Sequence, residues 1–227
     1  MKSAKGIYLL MGPPGCGKGS LAQLCVQQLG WKQLSTGNLC RKHISEQTEI
    51  GKEIDFAIKS GKLVSDELVT AMVAEWLDKD AQDAPAVILD GYPRTRAQAQ
   101  ALDNLLSSKP GEWNLQVITF NVSDDTVVDR LSRRYICMDK KCQAVYSLEI
   151  ADPLLGHEAA KCEICSSQLE RRKDDEPAAI RDRLAIYHKH EDVLLQFYKD
   201  KGLKIKELNA EQPMLDVFRD FKQLIGM

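Results

Sequence analysis

Apolar and polar positions fall into two kinds of run along this chain. Short apolar blocks at Ile7–Met11, Ala86–Leu89, Leu115–Phe120 and Leu203–Leu208 have the length of buried strands. Longer segments with apolar residues three and four apart follow them and predict helices at Lys18–Leu29, 95–107, 124–134 and 212–225. Three short helical pieces are expected between Thr36 and Lys79. The clearest covers 65–79, where Ser65 can cap the start and Asp66 and Glu67 favour its positive end. Leu68, Val69, Met72, Val73, Trp76 and Leu77 form its single apolar stripe. Strands alternating with helices predict an α/β fold on a mostly parallel sheet. Residues 135–173 break the rhythm with four cysteines and little helical periodicity, and read as an insertion with its own scaffold.

Composition narrows the class. Of 227 residues 44% are hydrophobic and 28% charged, which excludes a disordered or fibrous chain. The net charge of -2 argues against wrapping nucleic acid or docking on an anionic membrane, while leaving room for local basic pockets. No apolar run approaches the ~18–20 residues of a membrane span. The opening Met1-Lys2-Ser3-Ala4-Lys5 leads into an apolar stretch too short for a signal peptide. Seven cysteines lie at 16, 25, 40, 137, 142, 162 and 165. An odd number without a secretory signal points to a reducing, cytoplasmic compartment and to a metal rather than disulfides.

The first strand runs into Gly12-Pro13-Pro14-Gly15-Cys16-Gly17-Lys18, and a helix begins at its end. Strand, glycine-rich loop and Gly-Lys at a helix start form a phosphate cradle. Glycines let successive N–H groups turn inward, the helix terminus attracts anions, and Lys18 supplies a mobile positive charge. Gly19 separates Gly-Lys from Ser20, so the hydroxyl that meets Mg²⁺ in GTPases comes one residue late. Cys16 is either a small residue filling space or a thiol whose modification blocks nucleotide binding.

Several further segments, in collinear order from about residue 5 to the C-terminus, resemble the adenylate kinase family in its long-lid form. They are the loop through Gly19-Ser20, Leu34-Ser35-Thr36-Gly37-Asn38-Leu39-Cys40-Arg41, and Gly61-Lys62-Leu63-Val64. Asp90-Gly91-Tyr92-Pro93-Arg94-Thr95 with Gln98, Asp129-Arg130 through Arg134, and Arg172-Lys173-Asp174-Asp175 with Arg183 complete the set. The resemblance implies the P-loop nucleoside monophosphate kinase fold, with a central five-stranded parallel sheet flanked by helices. It implies a core of residues 1–34, 65–134 and 174–227, a monophosphate-binding segment at 35–64 and a lid at 135–173. The implied reaction is reversible transfer of the ATP terminal phosphoryl group to AMP, giving two ADP, in a monomer.

The residues suit that chemistry. Two anionic phosphates must come within reacting distance, and arginine forks bind phosphate oxygens directionally. Arg41, Arg94, Arg130, Arg134, Arg172 and Arg183 are the candidates, Arg130 and Arg134 being expected four apart on one helix face. Asp90 ends an apolar strand, where an α/β sheet places its ligand, and a carboxylate there calls for a cation such as water-bound Mg²⁺. The nucleophile is a phosphate oxygen, so no general base is needed and the four histidines receive no catalytic role. A Gln98 amide can pair with an adenine edge; it can equally be a polar residue on an amphipathic helix.

By resemblance, Gly15, Cys16, Gly17, Lys18, Gly19, Ser20, Arg130, Arg134 and the backbone at Gln212 bind ATP. Thr36, Arg41, Val64, Gly91, Arg94, Gln98, Arg172 and Arg183 bind AMP, and Asp90 holds Mg²⁺ through water. Lys18, Arg94, Arg130, Arg134, Arg172 and Arg183 carry the catalytic charge. Asn38 stands where the family usually has Asp, and Ala210 where it usually has Gly.

In the insertion, Cys137-x4-Cys142 and Cys162-x2-Cys165 form two knuckles that can close a tetrahedral, structural zinc shell, as long-lid members often do. The first knuckle is wider than usual, so Asp139 is an alternative ligand to Cys137. A preference for another monophosphate, and a nucleotide-switched zinc ribbon that binds RNA, are the competing functions; charge balance and the lack of interleaved aromatics weigh against the latter.

Overall fold

The computed structural model describes residues 4–59, 64–139, 142, 144–147, 161–171 and 175–227. Its elements run β1 (Lys5–Met11), α1 (Lys18–Leu29), β2 (Lys32–Ser35), α2 (Thr36–Ser45), α3 (Glu49–Lys59), α4 (Asp66–Lys79), β3 (Ala86–Asp90) and α5 (Arg96–Ser107). They continue β4 (Trp113–Asn121), α6 (Asp124–Ser132), β5 (Arg134–Cys137), β6 (Val145–Ser147), β7 (Leu169–Arg171), α7 (Pro177–Asp200), β8 (Ile205–Asn209) and α8 (Met214–Ile225).

Two compact units divide the chain. One comprises Met1–Gly12, Gly17–Asn121 and Lys189–Met227, the other Pro13–Cys16 and Val122–His188. The first unit holds a five-stranded sheet in the order β2-β3-β1-β4-β8, with each neighbouring pair parallel. Its strands are buried because helices flank them, which is why they read as continuous apolar runs rather than alternating ones. Leu9 lies opposite Leu89 on one side and Val117 on the other, and all three are buried. On another side of the same unit, Tyr8 stacks on Trp31 at 4.5 Å between ring centres and Phe221 meets both edge-on.

Helix boundaries follow local chemistry. Ser65, Thr95 and Ser123 each accept a backbone N–H three residues on, at Leu68, Gln98 and Thr126, and so cap α4, α5 and α6. Asp66 and Glu67 occupy the first turn of α4, and Asp124 and Asp125 that of α6, where the helix dipole favours acids. Gly17 and Gly30 bracket α1, both left-handed, and Gly30 N–H returns to the Cys25 carbonyl.

Two departures from the sequence pattern bear on the site. The pattern marks four strands of the main sheet, whereas the fifth, β2, has only Leu34 fully inward and so lacks an apolar run. The helix expected over 124–134 stops at Ser132, and Arg134 instead opens strand β5. Tyr135 and Ile136 explain the switch, since an aromatic and a β-branched residue pair across an antiparallel ladder with Tyr146 and Val145. Arg130 and Arg134 therefore do not share a helix face.

The second unit carries its own small sheet, β6-β5-β7, antiparallel throughout, over a core of Cys137, Cys162 and Leu169. A separate cluster of Val127, Leu131, Ile180 and Leu184 joins α6 to α7. No helix of the described residues is long and apolar enough to cross a membrane.

Leu89, with no exposed surface at the centre of the first unit's core, gives a direct test of this packing. Leu89→Ala is expected to cost about 2–5 kcal/mol and to lower the thermal midpoint by roughly 5–15 °C. Val145→Ala on the exposed β6 is expected to shift it by about a degree or less in calorimetry.

Candidate functional site

In the first unit the carboxyl ends of β1, β2 and β3 coincide. Leu10 and Ser35 both pair with Asp90, so the residues that follow these strands emerge side by side. This is where a parallel sheet offers its ligand crevice. The Asp90 carboxylate accepts from the Gln33 amide at 3.2 Å, an uncharged partner that orients it without satisfying its charge. A Cβ placed on Gly19 would lie 3.8 Å from that carboxylate, so the first turn of α1 faces it. Lys18 Nζ donates to the Gly12 carbonyl at 2.7 Å, folding the ammonium back over the start of the loop. Ser20 lies on the exposed side of the helix.

Around this end gather the residues expected to hold the monophosphate. Thr36 is buried and donates to the Gly91 carbonyl at 3.0 Å, and Arg94 Nε donates to the same carbonyl at 2.8 Å. Gly91 sits at φ +81, and a Cβ there would come 2.9 Å from Thr36 Oγ1 and 3.0 Å from Arg94 Nη2. Both the backbone angle and the crowding demand glycine. Arg41 donates to the Asn38 side-chain oxygen. The half-buried Cys40 lies in the field of both Arg94 and Arg41; burial raises its thiol pKa and the two guanidiniums partly oppose this. Val64 is half-buried ahead of α4.

Gln98 is buried and fully engaged on two sides. Its Oε1 accepts from Arg94 N–H at 2.8 Å and its Nε2 donates to Asp66 at 2.7 Å. Tyr92, buried below, donates its hydroxyl to the Gln98 carbonyl at 3.1 Å and meets Thr70 at 2.9 Å. Burial pushes that phenol up, keeping it a donor. Gln212 donates to Asp220 at 2.6 Å, and Ala210 continues the sheet by donating to Asn121 at 2.9 Å. Ala210 has no positive φ, so its backbone does not require the glycine usual there.

In the second unit, Arg130 Nη1 lies 3.4 Å from the Cys16 carbonyl, and Leu131 packs so closely under Gly15 that a Cβ there would stand 2.7 Å from it. Gly15 also has φ +85, so the loop again needs glycine. Cys16 itself is buried. Arg134 makes a two-pronged contact with Asp175, at 2.7 and 2.6 Å, and Arg183 reaches the same carboxylate at 3.2 Å. The Asp175 side chain has no exposed surface, whereas Arg134 and Arg183 keep 16% and 30% of theirs. One buried acid thus aims two cations that remain partly open. Arg172 lies outside the described residues, as do Gly61, Lys62 and Leu63.

The Sγ atoms of Cys137, Cys142, Cys162 and Cys165 all lie within 4.8 Å of one another. Cys137 and Cys165 stand 3.3 Å apart, Cys142 and Cys162 3.6 Å. The Asp139 carboxylate instead accepts Cys142 N–H at 2.8 Å, fixing the turn of the first knuckle. Cys137 itself stands in the sulfur group. The Tyr146 hydroxyl, 3.2 Å from Cys162 Sγ, holds that thiol down to about 6, while burial pushes Cys137 up to about 12. Four thiolates this close would repel one another, so all four can ionise together only around a cation.

Three of these residues carry no mark of this role in the sequence pattern. Gln33 sits in a strand with no apolar signature, and Asp66 reads as a helix-dipole acid. Asp175 sits within a motif whose arginine draws the attention.

Comparison with known proteins agrees with this geometry. The adenylate kinase family model matches residues 10–203. An adenylate kinase of Clostridium botulinum is 35% identical over 218 residues, covering 96% of this chain and 97% of the relative. Those of Symbiobacterium thermophilum and Zymomonas mobilis are 38% and 37% identical, each across 96% of this chain and 97% and 94% of the relative. A strand-ending phosphate loop, a five-stranded parallel sheet and near-complete coverage by these relatives converge, and the chain belongs to the adenylate kinase family, the nucleoside monophosphate kinases that transfer a phosphoryl group between ATP and AMP.

Proposed function

We propose that this kinase divides its reaction between two groups of side chains, one for each nucleotide. AMP is the acceptor: Arg41 and Arg94 bind its phosphate, Thr36 and the backbone at Val64 and Gly91 border its base, and Gln98 reads the adenine edge. Lys18, Arg130 and Arg134, with the loop Gly15–Ser20, bind the ATP phosphates, and the backbone at Gln212 borders its adenine. Arg172 and Arg183 address the phosphoryl group in transfer. The reading rests most heavily on one observation. Arg41 and Arg94 both bring their positive charge to bear on Cys40, held by the neutral oxygens of Asn38 and Gly91. Neutral acceptors orient a guanidinium and leave its charge for phosphate.

Asp90 fits a Mg²⁺ bound through water, because Gln33 leaves its negative charge uncompensated. The ion would neutralise charge on the ATP phosphates. The acceptor oxygen belongs to a phosphate whose second pKa is ~6, so it is already anionic at neutral pH and the side chains need only align and neutralise. Lys18 would exchange the Gly12 carbonyl for a phosphate oxygen. Four cysteines within bonding reach of one centre fit zinc, with no position open for chemistry, so the metal's work is to fold the small sheet around it. A cytoplasmic location and a monomeric state complete the proposal; an odd number of cysteines, four of them gathered around one centre, suits a reducing compartment.

ADP formation should require ATP and AMP together, with AMP preferred over GMP, CMP and UMP. Clear preference for another acceptor would overturn the AMP assignment, and nucleotide binding without turnover would favour the RNA-binding alternative. Arg94→Ala should raise the KM for AMP by about ten- to a hundredfold, the loss of one charge-assisted phosphate contact, while the KM for ATP stays near its parent value. Protein purified without chelator should contain about one zinc per chain by elemental analysis, and Cys137→Ala should lose most of it. Full zinc in that variant would assign the fourth ligand to Asp139.

A further inference from the structure

We propose that Asp66 is a positioning residue for acceptor choice: it pins the Gln98 side-chain amide in the single orientation that matches adenine. The inference rests on Gln98 reading the base of AMP.

An amide side chain presents nitrogen and oxygen on nearly identical shapes, and only its neighbours decide which points where. At Gln98 the neighbours leave no ambiguity. The Arg94 backbone N–H, 2.8 Å from Oε1, can only donate. The Asp66 carboxylate, 2.7 Å from Nε2, accepts. Thr95 fixes that carboxylate in turn, donating its hydroxyl to the other Asp66 oxygen at 2.7 Å while its own oxygen accepts Gln98 N–H at 3.1 Å. Asp66, Thr95 and Gln98 thus form a closed ring of hydrogen bonds between the first turns of α4 and α5. Tyr92 braces it from below by donating to the Gln98 carbonyl.

The amide has two N–H donors and two acceptor lone pairs. The protein uses one of each, so one donor and one acceptor remain, with their sides fixed. Adenine offers a complementary pair, its 6-amino donor beside a ring-nitrogen acceptor. Hypoxanthine and guanine offer the reverse, a 6-oxo acceptor beside a ring N–H donor, and would be matched by the flipped amide. A flipped amide would set its oxygen against the Asp66 carboxylate and its nitrogen against a backbone donor, two repulsive contacts at once. Base choice would then reside in a carboxylate that need not touch the nucleotide.

The test compares AMP with inosine monophosphate as acceptor, at saturating ATP, in Asp66→Ala, Asp66→Asn and Gln98→Ala, with thermal midpoints recorded for each. Asp66→Ala should raise the KM for AMP about tenfold and narrow the preference for AMP over inosine monophosphate by about as much. The KM for ATP should stay within about twofold, separating positioning from general damage. Asp66→Asn keeps shape and helix start and removes one of the two repulsions against the flipped amide, leaving only the Arg94 N–H to oppose it, so it should narrow the preference with little change in midpoint. Parental preference in both Asp66 variants would overturn the proposal, as would an ATP KM that rises in step with that for AMP. Gln98→Ala separates the two layers. If it leaves AMP binding and preference unchanged, the base-reading role of Gln98 is wrong and the proposal falls with it. If it weakens AMP while the Asp66 variants do not, Gln98 keeps its role and Asp66 is a helix-start acid alone.

Discussion

Repulsion between phosphate groups is the constraint on which this molecule turns. Two unit negative charges 4 Å apart repel by about 4 kcal/mol at the effective dielectric of a partly wet site, and the reacting nucleotides bring several such charges together. On the proposed assignment the chain meets this with a few placed arginines inside a sequence whose net charge is only -2. What matters is how those arginines wait. Arg94 rests on the Gly91 carbonyl and Arg41 on the Asn38 amide, so their positions are set while their charge is kept. An amide at Asn38 fits this arrangement, because a carboxylate there would offset the charge it orients. The second unit uses another device: Asp175, wholly buried, holds Arg134 and Arg183 together, two positive charges against one negative. Removing that acid would take from Arg134 the buried partner of its two-pronged contact, a loss on the order of 3–5 kcal/mol.

The main fold was largely readable because parallel strands buried on both faces leave uninterrupted apolar blocks, as at Ile7–Met11 and Ala86–Leu89. Helix starts were readable for a similar reason, since Ser65 is a local cap with local acids behind it. What escaped was structure determined by partners distant in sequence. Strand β2 is held by pairing to β3 and has Leu34 as its one buried apolar residue. The end of α6 was invisible because nothing at Arg133 or Arg134 breaks a helix. The following residues are claimed by Tyr146 and Val145 across a ladder that closes only in the folded unit.

The candidate site shows the same division. Glycines announced themselves through the loop pattern, and Gly15 and Gly91 are required by both positive φ and close neighbours. Arginines announced themselves through their chemistry. The acids and amides that orient them did not, because a carboxylate such as Asp66 or Asp175 carries no local mark of what it faces. The four cysteines were legible as a set, and their closure within 4.8 Å is a property of the sheet that gathers them.

Strand β5 keeps two chemistries apart with nothing more than its pleat. Arg134 and Cys137 stand at its two ends, three residues and ~10 Å apart, and successive side chains in a strand point to opposite faces. An odd separation sends the guanidinium to one face and the thiol to the other. A soft sulfur cage that attracts transition metals and a hard cation that attracts phosphate oxygens are thereby insulated on a four-residue ribbon. The parity of that spacing, more than the identity of any residue between them, sets the guanidinium and the thiol on opposite faces of the ribbon.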